Sequence, residues 1–191
     1  MVSKKMTLMA FLIILIVLIV VVISFIALTG REHVSELQII NLDGTSGTAL
    51  VVYHPGLSSF QEDVTKSFVD GLVSKGWRIE ITTASSDAPS DITNYDLLVL
   101  GTPTYGSAPA KPLVNYIDRL DDLDGKPIVV ICTALGSAQE TLERVSTQIQ
   151  EINGSVISSL TLTRMAPNDE QFGSTAPKEI AYRAGTEFAL P

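Results

Sequence analysis

The chain has 191 residues, enough for one ordinary domain plus an appendage. Its net charge is −8 at pH 7 and no five Lys or Arg stand together, so the footprint of a nucleic-acid binder is missing. Cys132 is the only cysteine, which excludes an intrachain disulfide and a Cys-rich metal site. His33 and His54 alone do not make a zinc site.

Much of the apolar content lies in one segment. From Leu8 to Leu28 the chain reads LMAFLIILIVLIVVVISFIAL, without charge, Pro or Gly. About 20 such residues span a 30 Å hydrocarbon core, and backbone polar groups there must be satisfied internally, so the segment is expected to be a transmembrane helix. A cleaved signal peptide is the competing reading. Its apolar region is typically about 7–15 residues, shorter than this one, and Ala27, Leu28 and Thr29 make a poor cleavage site. Lys4 and Lys5 precede the helix and Arg31 follows it. This small excess favours a cytoplasmic N-terminus, with the rest of a single-pass cell-membrane protein on the extracytoplasmic side. Residues 1–28 are therefore taken as tail and anchor.

Residues 29–47 are polar, end in Gly, Ser and Thr, and read as a linker in which Leu37–Leu42 could form a short strand or part of a helix. The globular domain is expected over 48–191. Ala49–Tyr53 (ALVVY) is a continuous apolar run, the mark of a strand buried on both faces. Phe60, Val64, Phe68 and Leu72 give a helix over Phe60–Ser74, with Ser59 as N-cap, Glu62 as its capping-box partner and Gly76 past the end. Trp77–Thr82 alternates as a half-buried strand, and Trp77 is expected to serve packing. After a polar loop, Asp96–Leu100 is a second apolar strand, followed by a helix over Lys111–Leu120. Pro127–Cys132 is a further buried strand, which makes Cys132 an inert, buried thiol. A helix over Ala138–Ile152, a strand over Val156–Leu162, a loop over Met165–Ser174 and a closing helix over Pro177–Leu190 complete the pattern.

Strands alternating with helices imply an α/β fold with a doubly wound, five-stranded parallel sheet. Right-handed crossovers leave few topologies, of which the order 2-1-3-4-5 is one. Ligands of such sheets bind at the carboxyl ends of the strands, where the order reverses. Three loops meet that condition: His54–Ser59, Thr102–Ala110 and Thr133–Ser137. GLSSF has Phe60 where a nucleophile elbow needs Gly, and no His follows Ser58 to complete a triad, so acyl transfer is not supported.

The stretch NYDLLVLGTPTYGSAPAKPL (Asn94–Leu113) resembles the third-strand signature of the flavodoxin family, and the resemblance extends over about Thr48–Leu190. It implies a flavodoxin-like fold and FMN as cofactor, with Thr102, Pro103, Thr104, Tyr105 and Gly106 around the flavin ring. The plain alternative is a loop whose Pro and Gly shape a turn. Thr133, Ala134, Leu135 and Gly136 would line the other side. The family's first loop, Ser-x-Thr-Gly-x-Thr, wraps the phosphate. Here YHPGLSS stands in its place: Gly56 falls one position early, His54 and Pro55 replace hydroxyl residues, and the candidate positions are His54, Gly56, Leu57, Ser58 and Ser59, of which Ser58 and Ser59 could still donate to a phosphate. Pro55 removes one backbone donor. Phosphate binding is then altered, weakened or lost, and His54 is either a replacement ligand or proton donor, or a solvated histidine without such a role.

The resemblance implies a membrane-anchored carrier that binds FMN and passes electrons between redox partners, one of them a protein that its acidity suits to a basic surface. No residue is needed as a catalytic acid or base. Two alternatives stand beside it: a flavin-dependent quinone reductase at the membrane, and a flavodoxin-fold binding module that has lost FMN.

Overall fold

A computed structural model of the chain describes residues 4–165, 168 and 176–190. Lys4–Thr29 is a single helix (α1), long and apolar enough to cross a membrane. Every side chain from Met6 to Leu28 is exposed, so this is no core helix of the domain.

The strands are β1 (Gln38–Ile40), β2 (Thr48–Tyr53), β3 (Arg78–Thr83), β4 (Leu97–Tyr105), β5 (Ala108–Pro109), β6 (Pro127–Ala134) and β7 (Ser155–Thr163). The helices α2 (Phe60–Ser74), α3 (Lys111–Ile117), α4 (Gln139–Glu151) and α5 (Pro177–Glu187) connect or follow them. Parallel pairing runs β3-β2-β4-β6-β7, which is the expected 2-1-3-4-5 order. The sheet nevertheless has seven strands rather than five. β1 adds an antiparallel edge beside β3, with Ile39 opposite Glu80, and β5 pairs antiparallel with the end of β4. Both are too short to show a period of two in the sequence. The stretch expected as a linker thus contains an edge strand.

The central strands β2, β4 and β6 are buried on both faces, as their unbroken apolar runs require. Leu50, Val52, Leu98 and Leu100 face α3 and α4, together with Tyr116 and Val145. Ala49, Val51, Leu97 and Val99 face the opposite layer, where Phe68, Leu72 and Ile180 of α2 and α5 close the core. Trp77 is buried in that second layer, as expected of a packing residue.

β4 runs past Leu100 through the stretch expected as loop. Parallel pairing with β6 continues to Pro103 opposite Thr133, and the chain then folds back so that Tyr105 faces Ala108. Gly106 and Ser107 both have positive φ, 56° and 65°, as a type I′ hairpin turn requires. α3 ends at Ile117 and α5 at Glu187, each three residues short of expectation. Most of the loop expected over Met165–Ser174 lies outside the described residues.

Helix α2 has the expected bounds but not the expected N-cap. Ser59 already has helical dihedrals, so its hydroxyl donates to Asp63 Oδ2 at 3.2 Å instead of capping, while Glu62 pairs with Lys66. The C-terminus closes as expected. Gly76 sits at φ 84° and donates to Val73 O, and the amide of Trp77 reaches Leu72 O, a Schellman arrangement.

Helices α2 and α5 cross with backbone nearly touching backbone. A Cβ on Gly71 would lie 2.3 Å from Tyr182 O, and one on Gly185 2.2 Å from Phe68 O. Gly71→Ala and Gly185→Ala should therefore each destabilise the domain by about 1–3 kcal/mol through overpacking, although alanine gains about 1 kcal/mol in helix propensity. Chemical or thermal unfolding of the two variants checks this, and an unchanged midpoint would contradict the tight crossing.

Candidate functional site

Because the central strands run parallel, their carboxyl ends share one edge of the sheet, and the loops that follow them face one another. Between them lies a slot of about 430 Å³. Gly56, Leu57 and Ser58 line it from the turn after β2. Pro103, Thr104, Tyr105 and Gly106 line it from the β4–β5 hairpin, and Thr133, Ala134 and Leu135 from the end of β6. Such a volume suits a small organic ligand.

Backbone geometry holds these walls together. Gly56 has φ 84°, and a Cβ there would come 3.2 Å from Pro103 Cγ and 3.3 Å from Tyr105 Oη, so the turn needs glycine. The Tyr105 hydroxyl accepts the Leu57 amide at 2.9 Å, tying the first loop to the second. Burial lifts the Tyr105 phenol above its ordinary pKa, partly offset by that amide, so it stays protonated. Beneath the slot, Gln61 forms a buried polar floor. Thr133 Oγ1 donates to Gln61 Oε1 at 2.7 Å, and Gln61 Nε2 donates to Thr65 Oγ1 at 3.0 Å. Thr104 also lines the slot, although its hydroxyl oxygen is itself buried and finds no partner among the described residues.

Four expected site residues do not line the slot. Thr102 is fully buried, and its hydroxyl accepts the Ala110 amide at 2.9 Å, which closes the β4–β5 hairpin. Ser59 points to Asp63, and Gly136 lies outside the lining. His54 is neither solvated nor in the slot. It is fully buried behind it, where the Gly56 amide donates to Nδ1 at 3.0 Å, so Nε2 carries the proton and faces Arg31 O at 3.3 Å. Its ring stands edge-on to His33, with centroids 5.5 Å apart.

Five lining residues escaped the sequence reading as site residues: Phe25, Pro55, Phe60, Gln61 and Arg164. Phe60 read as part of a helical stripe and Phe25 as part of the apolar run. Arg164, with its guanidinium 5.0 Å from the centre of the Phe60 ring, carries no local signal. The lining contains no carboxylate among the described residues, and Arg164 is its one cation. Cys132 is buried beneath the edge, and burial pushes its thiol up to about 12, so it stays inert as expected.

Burial lowers the pKa of His54, with the Arg31 carbonyl opposing and His33 adding to the shift. The unfolded chain then binds a proton below about pH 6.5 that the folded chain resists, so stability falls as pH drops from there towards the native-state value. His54→Asn should flatten the fall in unfolding midpoint between pH 7 and pH 5. An unchanged pH profile would contradict the buried, neutral ring.

No protein-family model and no curated protein matches the chain. Solved structures do. An archaeal flavodoxin superposes with a TM-score of 0.60 at 17% identity, covering 73% of this chain and 94% of its own. A Megasphaera elsdenii flavodoxin gives 0.58 at 18%, covering 72% and 98%. An NAD(P)H:quinone oxidoreductase from Methanothermobacter marburgensis gives 0.54 at 20%, covering 77% and 99%. With the five parallel strands in the order expected and the slot at their carboxyl edge, the chain has a flavodoxin-like α/β fold preceded by a helix long and apolar enough to cross a membrane.

Proposed function

We propose that the slot binds FMN without a covalent bond and that the protein, held to a membrane by α1, passes electrons between redox partners. The observation that carries this reading is the slot itself. Three loops at the switch point of the sheet enclose it, with Pro103 and Tyr105 on one wall and Ala134 and Leu135 on another. When bound, the flavin supplies the electron chemistry. Residues of this chain hold and orient it. The backbone of Gly56 and Gly106 permits close approach, Tyr105 offers an aromatic surface, and Pro103, Ala134 and Leu135 exclude water.

The phosphate end differs from the family pattern. Two amides of the first loop are already used, Gly56 by His54 and Leu57 by Tyr105. What remains for a phosphate is Ser58, the free first-turn N–H groups of α2 and the Arg164 guanidinium. Charge bias around α1 supports placing the domain on the extracytoplasmic side, and the chain's overall acidity supports a basic redox partner.

A second reading, a flavin-dependent quinone reductase at the membrane, draws support from Phe25. This residue of α1 lines the slot, so a membrane-dissolved substrate would meet the site directly. Repeated turnover with NAD(P)H and a quinone separates it from a carrier.

Protein mixed with FMN and passed through gel filtration should retain the flavin's blue and near-ultraviolet absorption bands. A colourless protein would favour a binding module that has lost FMN. Tyr105→Ala should weaken FMN binding about two- to tenfold, the equivalent of about 0.5–1.5 kcal/mol of ring contact, and Tyr105→Phe should weaken it less. Fluorescence titration with FMN measures both, and equal affinity in all three proteins would remove Tyr105 from the site.

A further inference from the structure

The chain leaving α1 does not dangle. β1 runs antiparallel to β3, so the residues before it must start at the carboxyl edge of the parallel strands, the edge that carries the slot. They are pinned there residue by residue. His54 bonds the Arg31 carbonyl at 3.3 Å, and Glu32 accepts the Ser86 amide at 3.1 Å. Thr83 Oγ1 donates to the His33 carbonyl, and the Thr83 amide donates to Ser35 Oγ at 3.0 Å. The helix itself reaches the slot. Phe25 stands edge-on to Tyr105, with centroids 6.0 Å apart, and Thr29 is buried against the domain.

The candidate span, Met6–Thr29, has 24 residues. It is therefore about 36 Å long, roughly 6 Å more than a hydrocarbon core, which puts Phe25 at the boundary between acyl chains and headgroups. Around the slot mouth the domain exposes large apolar side chains. Leu57 is 53%, Leu135 66% and Met165 80% exposed, and the Met165 amide donates to Leu135 O, so the last two stand together. Arg164, also exposed, lies between Thr163 and Met165 on the same rim. Apolar side chains beside a cation form the pattern of a surface that enters the headgroup region to about 5–10 Å.

We propose that this rim, Leu57, Leu135 and Met165 with Arg164, docks on the lipid surface beside the protein's own anchor, so that the slot opens toward the bilayer rather than toward bulk water. Leu57, Leu135 and Met165 dip into the acyl boundary, and the exposed Arg164 lies at headgroup level. A small-molecule substrate that reaches the slot of the docked protein through the mouth is then one dissolved in the membrane plane. The inference rests on the reading of α1 as a membrane anchor and is independent of whether the slot holds FMN.

The test uses the full chain reconstituted in phosphatidylcholine vesicles. Cys132 is fully buried, so a thiol-reactive, environment-sensitive fluorophore can be placed singly at Leu57→Cys, Leu135→Cys, Met165→Cys and, at the opposite edge of the sheet, Lys75→Cys. Labels at the first three sites should be quenched severalfold more by spin-labelled lipid, and severalfold less by iodide, than the label at Lys75→Cys. Equal iodide quenching at all four sites would overturn the docked rim, and so would a chain that fails to stay with the vesicles. The fluorophores report depth with or without flavin, so failure of FMN binding leaves the result readable.

Discussion

The functional edge of this protein depends on the parallel pairing of β2 with β3 on one side and β4 on the other. Val51 faces Ile81 in one neighbour and Val99 in the other, and each strand then ends at the same edge of the sheet. Parallel strands need crossover helices, and α2 must leave from the end of β2 and pack on the sheet before the chain can return as β3. The turn that starts α2 is therefore placed opposite the turn that ends β4. A cleft follows from connectivity before any side chain is considered. Apolar burial on both faces of β2, β4 and β6 keeps this edge rigid, because any shift of register would turn the sheet's buried residues out of their layers.

On that scaffold a few polar contacts define the shape of the slot. Gln61, from the first turn of α2, satisfies Thr133 and Thr65 in a setting where unpaired polar atoms are costly. The bond from the Leu57 amide to Tyr105 makes the first and second loops one unit. His54 performs a third task. With one ring nitrogen accepting Gly56 and the other facing Arg31, a single buried side chain couples the slot-lining turn to the segment that leaves α1. His54 in the first loop thus has a structural role that needs no ligand.

Attachment at this edge also relates charge to orientation. The chain is acidic as a whole, yet Arg164 is the one charged residue in the slot lining among the described residues, and apolar side chains surround it. The acidic side chains of the described residues all lie outside that lining. The helix enters at this edge, and the antiparallel direction of β1 forces it to.

By itself the sequence determined those features that local pattern encodes. Unbroken runs such as ALVVY, DLLVL and PIVVIC identify doubly buried strands. Spacing of four from Phe60 to Leu72 identifies α2 to the residue, and alternation of strands with helices leaves few orders, of which 2-1-3-4-5 is one. The loops that line the slot followed from that order, with Tyr105, Pro103, Leu57 and Leu135 among them. Only the tertiary structure decided the rest, because those features depend on partners distant in sequence. Three residues, Gln38–Ile40, become a strand only because β3 has a free edge to receive them. His54 is buried only because Arg31 and His33 fold over it, and Thr102 turns inward only because Ala110 returns to meet its hydroxyl. Phe25 and Arg164 reach the slot from opposite ends of the chain, about 140 residues apart in the sequence. Hydrophobic periodicity is a property of neighbours along the chain, whereas a binding wall is made of neighbours in space.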